Sequence, residues 1–205
     1  MVMSVNGMVI STVPTARQQV SIPALQMPLG EFGVSEIMPR LYALGWSGQI
    51  FSASNQAAQA VSVALATTYT GIGIYNPVGS GKIIVPLKVK FALSVAPAAV
   101  ATIGFIGSFS ATGGVTTQTT KLVVQSGQIG SSAVGIGIPL SAATITTPTW
   151  VEHLEDGFTA AALPAPTPPL YLDGHISALP GAFIGIGALT AVTGLGSIFW
   201  AELPI

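Results

Sequence analysis

LPGAFIGIGALTAVTGLGSIFWAELPI, residues 179–205, is the stretch whose reading decides the fold. Pro180-Gly181 is a turn signal, and residues 183–189 follow as an apolar run with Ile184, Ile186 and Ala188 on one face. Thr193-Gly194 reads as the next turn. Residues 195–203 then return, with Leu195, Ser197, Phe199 and Ala201 on one face and Ile198 and Trp200 on the other. Two β-type runs around a glycine-containing connection predict a hairpin. Glu202 is the only charge in these 27 residues, so both faces are expected to meet protein. The stretch is read as the spine of an all-β core.

Working outward, the chain has 205 residues, enough for one β-sandwich or barrel with a real core. Its charge content is anomalous: 13 charged residues, or 6%, against about 25% in ordinary soluble domains. A compact monomer of this mass exposes roughly 9,000 Å², or about one charge per 700 Å². Such a surface is held in water by Ser, Thr, Gly, Asn and Gln, or is covered by other subunits, and the second is expected to dominate. A net charge of −1 argues against nucleic-acid binding, which needs clustered Lys and Arg to neutralise phosphates. The absence of cysteine excludes disulfides and thiolate metal sites. The first 17 residues lack a basic segment followed by a continuous apolar one, so no secretory signal is read there. Uncharged stretches at 41–81, 91–120 and 183–201 are long enough to raise a membrane helix, but Gly, Pro, Asn, Gln, Ser and Thr break them. No membrane partner is expected.

Residues 1–40 differ from the rest. Pro14, Pro23, Pro28 and Pro39 punctuate them and exclude a helix or a long ladder. The segment is read as an extended arm, and the sandwich as residues 41–205. Met8, Ile10, Ile22, Leu25, Phe32 and Ile37 make the arm too apolar for a solvated tail, so they are expected to contact neighbouring subunits.

Strands are expected at 41–51, 60–66, 69–75, 82–95, 100–110 and 115–124, with weaker ones at 131–140 and 143–151. In 82–95, Ile83, Val85, Leu87, Val89 and Phe91 share one face, and Lys82, Ile84, Pro86, Lys88 and Lys90 the other. Residues 163–170, LPAPTPPL, form a proline-rich surface loop, and 171–178 lead into the final pair. Nine or ten short strands and no long helix predict a jelly-roll-like β-sandwich or barrel. Gly-Ile-Gly-Ile at 71–74 and 135–138, echoed at 184–187, leaves strand faces bare for an aromatic ring, another backbone or a neighbouring subunit.

Chemistry is hard to find. Gly79-Ser80-Gly81-Lys82 resembles the end of a phosphate-binding loop, but Asn76 and Ile83 stand where that motif needs Gly and Ser or Thr, and a strand replaces the helix. Glu152, His153, Glu155 and Asp156 cluster, and Asp173-Gly174-His175 would set a carboxylate and an imidazole on one strand face. That pattern suits a divalent cation or acid–base work, or simply polar loop ends beside the proline-rich run. No catalytic residue, metal, cofactor or small-molecule substrate is assigned. Lys82, Lys88 and Lys90 read as a basic row, solvated or paired with an acidic neighbour. Trp46 and Trp200, with Lys88 and Lys90, are the candidate subunit interface.

YNPVGSGKIIVPLKVKFAL at 75–93, taken with residues 179–204 and the segment at 36–51, resembles β-sandwich virion proteins of tailed bacteriophages. The likeness covers roughly residues 31–205. It implies a trimeric, jelly-roll-like decoration or cement protein bound to the major capsid protein on the virion surface, assembled in the host cytoplasm. Head fibres and spikes with a receptor- or glycan-binding head are the other members of that class. The resemblance carries over no catalytic residue, and the first 30 residues match nothing in it.

Overall fold

The structure is a computed structural model that describes residues 25–26, 32–33, 41–61, 63, 65–158, 170–172 and 174–205. It divides into two units, Met1–Ser47 and Gly48–Ile205. In the first, β1 (Leu25–Gln26) pairs antiparallel with β2 (Phe32–Gly33), setting Leu25 opposite Gly33 and Phe32 opposite Gln26. The other expected arm contacts, Met8, Ile10, Ile22 and Ile37, lie outside the described residues. A short helix α1 (Tyr42–Trp46) occupies the first half of the strand expected at 41–51. LYALGW contains no β-branched residue, and Gly48, at φ 69°, turns the chain before the strand begins.

The second unit is a sandwich of two antiparallel sheets. The first runs in the order β12 (Leu170–Tyr171), β6 (Lys82–Leu93), β14 (Val192–Pro204), β3 (Ile50–Ser54), β9 (Gln125–Ser126), and β4 (Gln59–Val61) also pairs with β14. The second runs β11 (Thr149–Phe158), β7 (Ala101–Phe109), β13 (Ala182–Ala188), β5 (Thr68–Tyr75), β10 (Ile138–Ile145), β8 (Val115–Lys121). Set aside β4 and the excursion β8–β10, and eight strands remain. In chain order β3, β5, β6, β7, β11, β12, β13 and β14 fall in the first, second, first, second, second, first, second and first sheets. With their neighbours in each sheet, this is the winding of a jelly roll. The fold class expected from the sequence is therefore the one observed.

The final stretch does hold the centre, but not as a hairpin. β13 lies between β7 and β5, and β14 between β6 and β3, in opposite sheets. Residues 189–191 carry the chain across the sandwich. The Leu189 N–H donates to Thr102 O (2.9 Å) and the Thr190 hydroxyl to Val100 O (2.9 Å), so the crossing is tied to the start of β7. Thr193-Gly194, expected as the turn, is inside β14 and pairs with Ala60 and Gln59.

Ile72, Ile74, Ile84, Phe105, Ile184, Ile186, Ile198 and Trp200 fill the space between the sheets. A second cluster lies on the far face of the second sheet: Tyr69, Tyr75, Ile106, Val115, Leu140, Ala143, Ile145 and Phe183, with Trp150 against it. Connection length explains it. β10 and β11 are four strand positions apart, about 19 Å in a flat sheet. The three residues joining them span at most about 14 Å. The sheet must curl, and its concave face closes over these side chains.

Two of the three glycine-alternating stretches meet in that curl as strands, whereas residues 135–137 precede β10 and are not in a strand. Gly185 of β13 lies opposite Gly73 of β5, and a β-carbon on Gly185 would stand 2.6 Å from the Tyr69 hydroxyl and 2.7 Å from the Phe183 ring. Aromatic rings of the same sheet therefore cover these bare faces. The free edges are blunted: β8 and β11 are each broken by three register shifts, and β9 and β12 have two residues each.

One face assignment is also corrected. In β6 the partners of Phe199 and Trp200 are Lys88 and Pro86, so Leu87 is the extra residue of a bulge. The faces exchange there. Ile84 is buried before it and Val89 after it, with Phe91 and Leu93 packed on the same core. Lys82, Lys88 and Lys90 consequently do not form one row.

Candidate functional site

Two arrangements of polar groups on the sandwich are built rather than incidental. The first is internal. Glu202 is buried near the end of β14 and its carboxylate accepts four hydrogen bonds. The Ile136 N–H (3.0 Å) and Lys82 ammonium (3.1 Å) donate to Oε2, and the Gly137 N–H (2.8 Å) and Trp200 indole N–H (3.2 Å) to Oε1. Burial alone would push this carboxyl's pKa up, but the two backbone N–H groups, the indole and Lys82 outweigh it and hold it below the usual glutamate value. Gly137 lets the backbone come this close, since a β-carbon would press on the Cδ1 atoms of Ile84 (2.8 Å) and Ile74 (2.9 Å). The group pins residues 136–137, which enter β10, to β14 and β6. It has every lone-pair direction engaged, which suits a clamp and leaves nothing for a substrate proton.

Trp200 lies on the inward face of β14, 0% exposed and packed at 6.1 Å from the Phe51 ring, so it is a core residue and leaves the candidate interface. Lys82 turns to Glu202 and is a structural partner. Asn76, also buried, is the other internal clamp: its amide donates to Lys82 O and Ala178 O, both at 2.8 Å, holding the turn that enters β6. In that turn Gly79 and Gly81 have φ of 74° and 66° and β6 follows directly, where a phosphate-binding loop would open a helix.

The second arrangement is on the outside. Across the first sheet Tyr171, Lys88, Phe199 and Ser52 stand in one row of cross-strand partners. The Lys88 ammonium lies 5.7 Å from the centre of the Tyr171 ring and 5.5 Å from that of Phe199, both within cation–π range. Lys90 is exposed on the same face, opposite Ser197, and Leu195 beyond it is 44% exposed. Trp46 of α1 is 60% exposed. Lys88 and Lys90 thus keep their place as candidate contacts.

The acidic cluster is divided differently from the expectation. Glu152 and His153 are exposed on edge strand β11, with Glu155 and Asp156 on the same strand, and the His153 ring lies 5.2 Å from that of Trp150. Asp173 lies outside the described residues. His175 is not on a strand: its N–H donates to Leu172 O (2.9 Å) in a turn whose Gly174 has φ 83°. Among the described residues no group of three or more His, Asp or Glu is placed to hold a metal ion, and no helix is long and apolar enough to cross a membrane. Compared with protein-family models, curated proteins and solved structures, the chain finds no match.

Reading the residues alone missed the Glu202 clamp. Its signal was present, a single carboxylate in 27 apolar residues. Such a group must be paired if the strand is buried.

Proposed function

We propose that this chain is a structural subunit of a virus particle: a decoration or cement protein that self-associates, as a trimer, and binds neighbouring capsid subunits without turning over a substrate. The observation that carries the reading is the exterior of the sandwich. Phe109, Val123, Ile129, Val134 and Tyr171 are each at least 60% exposed on a chain with 13 charges. Large apolar side chains at that density, with so few ions between them, suit a surface meant to be covered. Jelly rolls serve repeatedly as such building blocks, and the two polar clamps of this one are committed to holding it together. In this reading the segment of residues 1–40 reaches onto the capsid through Met8, Ile10, Ile22, Leu25, Phe32 and Ile37.

The experiment is binding of purified chain to particles that lack it. The full chain is expected to bind saturably, and a chain without residues 1–30 to remain a folded oligomer that no longer binds. Absence of binding by the full chain overturns the reading, and undiminished binding by the truncated chain removes the arm from it.

The Tyr171–Lys88–Phe199 row favours a second reading, a glycan-binding head of a fibre or spike. An exposed ring such as Tyr171, beside a cation and a half-buried Phe199, can stack on a sugar. Retention on a glycan array, lost in Tyr171→Ala, would select it.

A further inference from the structure

We infer that the Lys88–Lys90 face of one copy docks on the acidic edge strand β11 of the next, a head-to-tail contact between two different surfaces of the same chain. This rests on the reading of the chain as a self-associating subunit and names the surfaces that would join. After Ser47 the sequence holds four Lys and five carboxylates. Lys82 and Glu202 pair with each other inside the sandwich.

Of the remaining charges, Lys121 ends β8, at the opposite edge of the second sheet from β11, and Asp173 lies outside the described residues. Lys88 and Lys90 stand on the outer face of the first sheet, whereas Glu152, Glu155 and Asp156 share the edge strand of the second. Among the described residues no carboxylate pairs with Lys88 or Lys90 and no cation pairs with Glu152. One molecule therefore carries a basic pair on one surface and, on another, the exposed Glu152 with Glu155 and Asp156 on the same strand.

The basic patch is also preorganised. Tyr171 and Phe199, on the strands either side of β6, bracket the Lys88 ammonium, so little side-chain freedom is left to lose when a carboxylate arrives. The rings and Leu195 supply an apolar floor that a partner's strand would cover, lowering the dielectric around the ion pair. Because the patches differ, the contact is heterologous: it closes into a ring where the rotation allows, at three copies in the reading above, and otherwise propagates.

The test is charge reversal followed by sedimentation at low ionic strength. Wild type is expected as an oligomer whose mass falls with added salt. Lys88→Glu with Lys90→Glu, and separately Glu152→Lys with Glu155→Lys, are expected to sediment as single chains of 20.7 kDa, with unchanged far-ultraviolet circular dichroism. Combining all four substitutions in one chain is expected to restore the oligomer. Reversal that leaves the oligomer intact, or a quadruple variant that stays single, overturns this contact and leaves the assembly reading to other surfaces. A wild type that is itself a single chain, retained on sialylated glycans through Lys88 and Lys90, overturns both.

Discussion

Glu202 shows how one residue can be costly and necessary together. Its carboxylate is removed from water on the inner side of β14, yet Ile136, Gly137, Trp200 and Lys82 replace what water would supply. Glu202→Ala leaves two buried N–H groups and an indole without acceptors, and an expected loss of about 3 kcal/mol by chemical denaturation follows. The ionised form carries this stability. With the folded-state pKa below the ordinary 4.5, the contribution is complete above about pH 4.5 and is lost as pH falls through the folded value. The melting-temperature gap between wild type and Glu202→Gln is thus expected to be widest near neutrality and to shrink in acid. A gap independent of pH would show that the clamp is not an ion. Gly185 makes the complementary case, where nothing polar is at stake. A β-carbon there would press on Tyr69 and Phe183, so Gly185→Ala is expected to cost about 1–3 kcal/mol although Ala suits a strand better than Gly.

At the scale of elements, the two clamps hold irregular segments to regular ones. Residues 127–137 join β9 to β10, and their far end hangs on Glu202. The amides of Ile136 and Gly137 are expected to exchange with solvent as slowly as those of β14, and to become fast in Glu202→Ala. Equal, rapid exchange in both proteins would mean that the segment is held by something else.

The same scale shows what could be read in advance. The strands read at 69–75, 82–95, 100–110, 183–189 and 195–203 were legible in place though not in their bounds, because apolar and β-branched runs fill them; Thr193-Gly194, read as a turn, lies inside the last one instead. Pairing was not. A three-residue connection such as 189–191 is long enough to turn a hairpin or to cross about 10 Å to the facing sheet, and its anchors, Thr102 and Val100, lie far away in the sequence. The face reversal at Leu87 was hidden for a related reason: a bulge answers to the partner strand, here Phe199 and Trp200, and leaves no mark on the bulged one. The clamp needed Lys82, Ile136 and Glu202 together, which only the folded chain provides.

The whole molecule joins a core of unusual continuity to an exterior of unusual neutrality. Both faces of the second sheet are packed, one against the first sheet and one within its own curl, so the interior is well supplied with apolar area. The exterior keeps Tyr171, Phe109, Ile129 and Val134 in contact with water and sets Lys88 and Lys90 on a different surface from Glu152. In the proposed reading, that distribution suits a surface covered by other subunits. The most direct measurement is the mass of the purified wild-type chain by sedimentation across its accessible concentration range. A multiple of 20.7 kDa is expected, three chains in the proposed trimer. A single chain at every concentration, showing no affinity for any particle, would contradict it.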